Sequence, residues 1–185
     1  GGRRIIKKKI SQCRAEHRRM AQVAAAWPRR PRVYFEEWDE PMISAIRWVS
    51  ELVTVAGGDD VFPERAAKSL GRDRVIADAH DVMRAAPDVI VGSWCGKKFR
   101  PERVAAREGW SGVPAVRDGA LHEIKSCDIL QPGPAALTDG VAQLHASFAE
   151  PYEPARGLDA PAPMTVRSRS FVVALKERSG RPRPA

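Results

Sequence analysis

No apolar run in this chain of 185 residues approaches the ~20 needed for a membrane-spanning helix, so no spanning helix is expected. Cysteine is scarce. Cys13, Cys95 and Cys127 cannot all pair, none stands in a CxxC spacing that would suggest zinc, and free thiols are expected. An export signal is not visible: "RRIIKKKI" gives a charged start, but no apolar segment of suitable length follows. The leading Gly-Gly in place of Met leaves processing, tagging or a fragment open. There are no internal repeats. Acidic residues are nearly missing from the first 33 positions, which carry 11 Lys/Arg against one Asp/Glu, and are few after position 150, with 7 Lys/Arg against 3. The centre, residues 34–150, holds 13 Lys/Arg against 19 Asp/Glu and is net −6. The formal charge of +8 therefore lies on the two ends. A specific duplex binder would carry its basic face on the folded module, so specific nucleic-acid binding is not expected. Nonspecific contact of a basic arm with an anionic polymer or lipid stays open.

What is present suits one α/β domain with its own core, since hydrophobic content is 43%. Ile5 to Ala26 reads as a helix of good helix formers, with Ile6, Ile10, Cys13, His17, Met20 and Val23 at three- and four-residue steps, ended by Trp27-Pro28. Arg32 to Glu36 reads as a strand with Val33 and Phe35 on one face and Tyr34 on the other. Glu37 to Glu40 reads as its turn, and Pro41 as the first residue of a helix striped by Met42, Ile46, Val49, Val53 and Ala56 and stopped at Gly57-Gly58. A loop to about Arg72 follows, then a strand at Arg74 to Ala77 and a helix from an Asp78 N-cap through Ala85. Val89 to Gly92 is a continuous apolar run, as in a strand buried on both faces. A short helix at Glu102 to Arg107, strands at Val113 to Val116 and Leu121 to Ile124, and a closing helix from Pro134 to Ala149 with Leu137, Val141, Leu144 and Phe148 inward complete the pattern. Alternating strands and helices predict a mostly parallel sheet flanked by helices, a single three-layer lobe. From Pro151 the Pro, Ala and Arg content predicts disorder, with Ser170 to Glu177 as one candidate edge strand.

Three runs end where a parallel sheet meets its ligands, at the carboxyl ends of strands: Pro31 to Pro41, Asp88 to Pro101 and Ile124 to Leu137. Glu36, Glu37, Asp39 and Glu40 surround Trp38, with Arg32 as the expected ion-pair partner. Trp38 reads as a flat apolar wall or as a core indole. Cys95 could be nucleophilic only with a positioned base, and only His122 lies near the expected rim. A packing or cleft-lining thiol is the simpler reading, and thiolate ligation of a soft metal is a further one. Gly96 permits positive φ. Lys97 and Lys98 could meet an anion or stand as a solvated pair. Asp128, Gln131 and the prolines around them form a rigid loop before a helix, either structural or ligand-facing.

The ordered strings "VYFEEWDEP", "AGGDDVF", "APDVIVGSWCGKKF", "VPAVRDGALHEIKS" and "ILQPGPAALTDG" resemble the C-terminal lobe of cobalamin-binding proteins related to the periplasmic cobalamin, siderophore and haem carriers, two-lobed proteins joined by one long helix. The resemblance covers Ala21 to Ala149. It implies that residues 1–27 are the remnant of the interlobe helix, that residues 28–150 are a solute-binding lobe, and that residues 151–185 lie outside the family. It implies a non-enzymatic lobe with no catalytic residue, no metal and no resident cofactor. The implied ligand is cobalamin, a related corrinoid or an iron chelate. Its implied ligand-facing residues are Glu37, Trp38, Asp39, Arg74, Trp94, Cys95, Asp128 and Gln131. The implied partners are a missing N-terminal lobe and an ABC transporter permease, the latter docked through Asp81 where the family commonly has two acidic residues and this chain has His80-Asp81. The implied location is the periplasm or cell envelope. A single lobe supplies half a cleft, so weak binding is expected of it alone. An interaction module built on the basic helix and tail, and a thiol-dependent enzyme through Cys95, are the alternatives.

Overall fold

The computed structural model of the chain describes residues 2–149; the expected disorder after Pro151 and the candidate strand at Ser170 to Glu177 fall outside them. A long helix, α1 (Gly2–Ala25), leads into strand β1 (Arg32–Asp39), strand β2 (Met42–Ser44), helix α2 (Arg47–Ala56), strand β3 (Asp59–Asp60) and the short helices α3 (Pro63–Ala66) and α4 (Ala79–Ala85). Strand β4 (Val89–Gly92), the short helices α5 (Pro101–Ala105) and α6 (Pro114–Arg117), strand β5 (Leu121–Glu123), the one-turn helix α7 (Ser126–Ile129) and the closing helix α8 (Val141–Ala149) follow. β1 pairs in parallel with β3 and β4, and β4 in parallel with β5, while β2 folds back antiparallel on β1. The order is β2-β1-β4-β5, and β3 shares with β2 the edge of β1 that faces away from β4. The expected mostly parallel sheet flanked by helices is the observed architecture.

Alternation along the strands divides the core in two, because successive side chains point to opposite faces. Val33 and Phe35 of β1 and Val89 and Val91 of β4 pack with Val49 and Val53 of α2 and with Leu144 and Phe148 of α8. Tyr34 and Ile90 face the other way, onto Phe62, Ile76, Val82, Phe99, Val104 and Trp110. All four residues of β4 are buried, as its unbroken apolar run predicts. α1 joins through its second half, where Met20 and Ala24 are buried and Cys13 Sγ and His17 Nε2 meet the Leu137 carbonyl at 3.3 and 2.7 Å. Ala24 lies against Gly57, which caps α2 at φ 102 and on which a Cβ would come within 2.5 Å of Ala24 Cβ, so glycine serves both the left-handed turn and the close approach. Trp27 stacks on His145 at 5.3 Å, and His145 Nδ1 is 2.8 Å from the Ala56 carbonyl.

Five expectations are corrected. β1 does not stop at Glu36 but runs to Asp39 through a shift of register between Glu36 and Trp38. Pro41 opens no helix: it follows a cis peptide in the hairpin turn, Met42 to Ser44 pair with β1, and α2 begins at Arg47. The free edge of β1 takes these residues up, and a local propensity for helix yields to ladder hydrogen bonds. Arg74 to Ala77 is no strand; Gly71–Arg74 is a 3-10 turn, and Val75 makes one bridge to Ile43. Pro114 starts helix α6 where a strand was read, since proline suits a first helical turn and lacks a ladder donor. Leu137, expected inward, is 48% exposed, because the π-helical stretch Ala136–Gly140 adds residues per turn and rotates it outward.

The Asp88 carboxylate ties the chain leaving α1 to the start of β4, accepting from Arg29 at 2.5 and 2.8 Å and from the Arg32 amide at 2.8 Å. Partial burial works to raise its pKa, but the Arg29 hydrogen bonds, the Arg32 amide and both arginine charges outweigh burial and hold it below the ordinary carboxylate value. A depressed folded pKa gives stability that is present above the unfolded value, about 3.9, and lost as pH falls through the folded one. Asp88→Asn is therefore expected to lower the urea midpoint at pH 7, with its difference from the parent closing below pH ~4. Gly92 lies under the Phe99 ring, where a Cβ would overlap the ring carbons. Gly92→Ala should cost about 1–3 kcal/mol by overpacking, read as a lower urea midpoint at unchanged slope.

Candidate functional site

The carboxyl ends of β1, β4 and β5 form one rim, and the β1 end carries the acidic run that the sequence singles out. The alternation of β1 sends its carboxylates to different places. Glu36 is fully buried and accepts from Tyr34 Oη at 3.0 Å, Trp94 Nε1 at 3.0 Å and the Arg107 guanidinium at 2.6 and 2.9 Å. Burial, followed by the Glu36 charge, pushes the Tyr34 phenol well above its ordinary value, so it stays a neutral donor. Burial works to lower the Arg107 pKa, but the hydrogen bonds and charge of Glu36 outweigh it and the net direction is up. A dry carboxylate held by four donors is a structural anchor, since its charge is neutralised and its lone pairs are occupied.

Glu37 points the other way and meets Arg74 at 2.6 and 3.2 Å; Arg74 also donates to the Ser44 carbonyl and is 2% exposed. Asp39, with its side chain 3% exposed, pairs with Lys97 Nζ and lies 3.6 Å from Arg103. Arg32, expected to pair with this run, gives only its backbone amide to Asp88. Trp38 is half-buried: its Nε1 donates to the Glu40 carbonyl at 2.8 Å, and the Lys97 ammonium lies 4.2 Å from its ring centre, a cation–π contact. The same ammonium is 5.1 Å from the Trp94 ring.

Trp94 is not an open wall in this lobe. The chain continues past β4 with Ser93 N donating to the Glu36 carbonyl, which turns the indole inward against Phe99 at 5.0 Å and leaves it 3% exposed. Arg74 and Asp39 are likewise turned inward by their ion pairs. Cys95 is exposed on the turn that Gly96 makes at φ 77. The thiol that a histidine meets is instead Cys13, 3.5 Å from His17 Nε2 on α1, with its pKa pushed up by burial and then by Glu16. Asp128 accepts from Gln143 Nε2 at 3.2 Å, and Gln131 is exposed in the turn after α7. Among the described residues no group of three His, Cys, Asp or Glu side chains could hold a metal ion.

Two open depressions flank the Lys97–Asp39 pair. One, of about 430 Å³, is lined by Trp94, Lys97, Lys98, Lys125, Ser126 and Cys127 among others. The other, of about 360 Å³, is lined by Asp39, Glu40, Met42, Arg103, Arg107 and Glu108 among others. The structure thus gathers Glu37, Trp38, Asp39 and Arg74 at the β1 end, with Trp94 beneath and Cys95 on the neighbouring turn, while Asp128 and Gln131 stand outside both depressions. Asp81 is ion-paired with Arg65 at 3.0 Å and with Arg84. Arg103 and Arg107 are the rim residues that sequence reasoning missed. A four-residue step puts both on one side of α5 and its extension, but nothing local connects Arg107 to a carboxylate 71 residues earlier.

A family model for the periplasmic binding proteins matches residues 6–126, and the chain belongs to that family. No curated protein matches it. Among solved structures it is similar to an ABC transporter substrate-binding protein from Listeria monocytogenes, at 14% identity and TM-score 0.61, covering 78% of this chain and 57% of that one. It is similar to the periplasmic vitamin B12 binding protein of Vibrio cholerae, at 18% identity and TM-score 0.55, covering 80% and 52%. It is also similar to the S. aureus protein IsdE complexed with heme, at 16% identity and TM-score 0.58, covering 77% and 56%. At these identities the likeness is one of fold, and the chain spans about half the length of the structures it matches.

The Glu36–Arg107 pair sets a stability test. Glu36→Gln should cost roughly 3–5 kcal/mol, because it leaves the Arg107 charge without its partner. The double variant Glu36→Gln with Arg107→Met should recover part of that loss, measured by urea unfolding.

Proposed function

We propose that residues 28–150 act as the C-terminal ligand-binding lobe of a solute-binding protein serving an ABC importer, with a cobalamin-type corrinoid or a related tetrapyrrole or iron chelate as ligand. The observation that carries the reading is the half-buried Trp38 indole on the carboxyl rim of the sheet, next to Asp39, which lines one depression, and under Lys97, which lines the other. A flat macrocycle would stack on that indole, with Glu37 and Lys97 beside it and Cys95, Asp128 and Gln131 reached from its edges. Trp94, Arg74 and Asp39 serve this reading from below, by holding the β1 end and Lys97 in place. The solved structures of similar fold that bind vitamin B12 or heme support the ligand class. The reading is of a binding protein rather than an enzyme, placed in the periplasm or cell envelope, where a permease partner would be met through Asp81 after exchange of its present arginine partners.

One lobe buries one side of a ligand, and association costs are met only by the surplus of contacts. The chain alone is therefore expected to bind cyanocobalamin or haem weakly, with a dissociation constant above ~10 µM, and a second lobe supplying the opposite wall should tighten it. Tryptophan fluorescence titration, checked by equilibrium dialysis, tests this with and without a matching N-terminal lobe. Quenching that is strongest with both lobes and falls in Trp38→Phe supports the proposal. No binding of either compound in the two-lobe mixture overturns the ligand class.

A further inference from the structure

The larger depression beside Lys97 gathers most of the lysine of this domain. The lysines of residues 28–150 are Lys68, Lys97, Lys98 and Lys125, and the last three line the same depression of about 430 Å³, with Trp94, Glu123 and Cys127. They reach it from two turns, Lys97 and Lys98 from the one after β4 and Lys125 from the one after β5. Residues 34–150 are net −6, so the depression reverses the sign of the domain locally. A generally basic surface does not account for that.

Lys97 is already committed: its ammonium pairs with Asp39 and lies 4.2 and 5.1 Å from the Trp38 and Trp94 ring centres. Lys98 and Lys125 are exposed, and their side chains take part in no ion pair or hydrogen bond among the described residues. Against them stands Glu123, whose carboxylate accepts from the Phe99 amide at 3.1 Å. One acid opposite two unpaired ammonium groups leaves the depression with an excess of positive charge and with donors to spare.

Two occupants would use these ammonium groups: an acidic side chain of a second lobe closing over the rim, or an anionic group of the ligand itself. The depression has the volume of a small-molecule pocket rather than of a slot for one side chain. It also adjoins Trp38 through Lys97, which lines it and contacts the indole, so a ligand on that indole lies next to the lysines. Both points favour the ligand. We propose that Lys98 and Lys125 form an anion subsite that takes a carboxylate or phosphate carried at the edge of the ligand. This rests on the reading of the rim as a ligand site and narrows the ligand class: a chelate or tetrapyrrole with an anionic edge is preferred over its counterpart without that group.

Two titrations test this. The first follows the amide resonances of the full chain as inorganic pyrophosphate is added, which needs no ring. Shifts centred on Lys97, Lys98 and Lys125 are expected, lost in the double variant Lys98→Gln with Lys125→Gln and kept in Lys68→Gln. No shift there, or one that the double variant keeps, overturns the proposal. The second titration is equilibrium dialysis with and without a matching N-terminal lobe. It compares cobinamide phosphate with cobinamide and haem with its dimethyl ester, which separates a phosphate from a carboxylate. The anionic member of one pair is expected to bind about fivefold tighter or more. The double variant, at an unchanged urea midpoint, should lose that preference and bind the other member as before. Equal binding within both pairs overturns the proposal. So does an unchanged preference in the double variant with weaker association of the two lobes, which assigns the lysines to the second lobe. Binding of no compound in the two-lobe mixture sinks the flat-ligand reading, and the pyrophosphate titration then decides the subsite by itself.

Discussion

Glu36 has no contact with water and lies at the end of the part of β1 that pairs with β4, where Tyr34, Trp94 and Arg107 converge on it. A bare carboxylate there would be intolerable, so the loop after β4 and the helix α5 with its extension must be where they are for the lobe to fold with this residue ionised. That requirement ties together three segments far apart in the chain. It also fixes the strand end that follows, from which Trp38 and Asp39 reach the rim.

The rim is consequently a layered surface. Beneath it are Glu36, Trp94 and Arg107; at its level are the ion pairs Glu37–Arg74 and Asp39–Lys97 and the half-buried Trp38 indole. Lys97 joins the layers, since its ammonium serves a buried carboxylate and two indoles at once. A ligand stacking on Trp38 would meet this ammonium, and the two depressions beside it, before anything in the core. The chain belongs to the periplasmic binding protein family, and this rim lies at the carboxyl ends of parallel strands, where open α/β sheets generally meet their ligands.

α1 obeys a different constraint. Its last turns are fixed by Ala24 on Gly57 and by Trp27 on His145, a packing contact, whereas its first half carries charge and isoleucines that the described lobe does not cover.

Much of this was legible in the chain itself. The alternation of Val33, Tyr34 and Phe35, the unbroken apolar run of β4, the Asp78 cap and the length of α1 are consequences of side-chain period and capping chemistry, which act within a few residues. The misread places share one cause. Pro41 is acceptable both to a helix start and to a hairpin turn, Pro114 both to a strand edge and to a helix start, and Leu137 to either side of a helix whose turn is locally widened; only contacts with β1, β4 and α7 choose between them. The tertiary structure likewise decided that Trp94 faces inward, and that the partners of the acidic run are Arg107, Arg74 and Lys97 rather than Arg32. Sequence gives residues their charge and size, but which of several arginines reaches a buried carboxylate depends on segments brought together only when the sheet has formed.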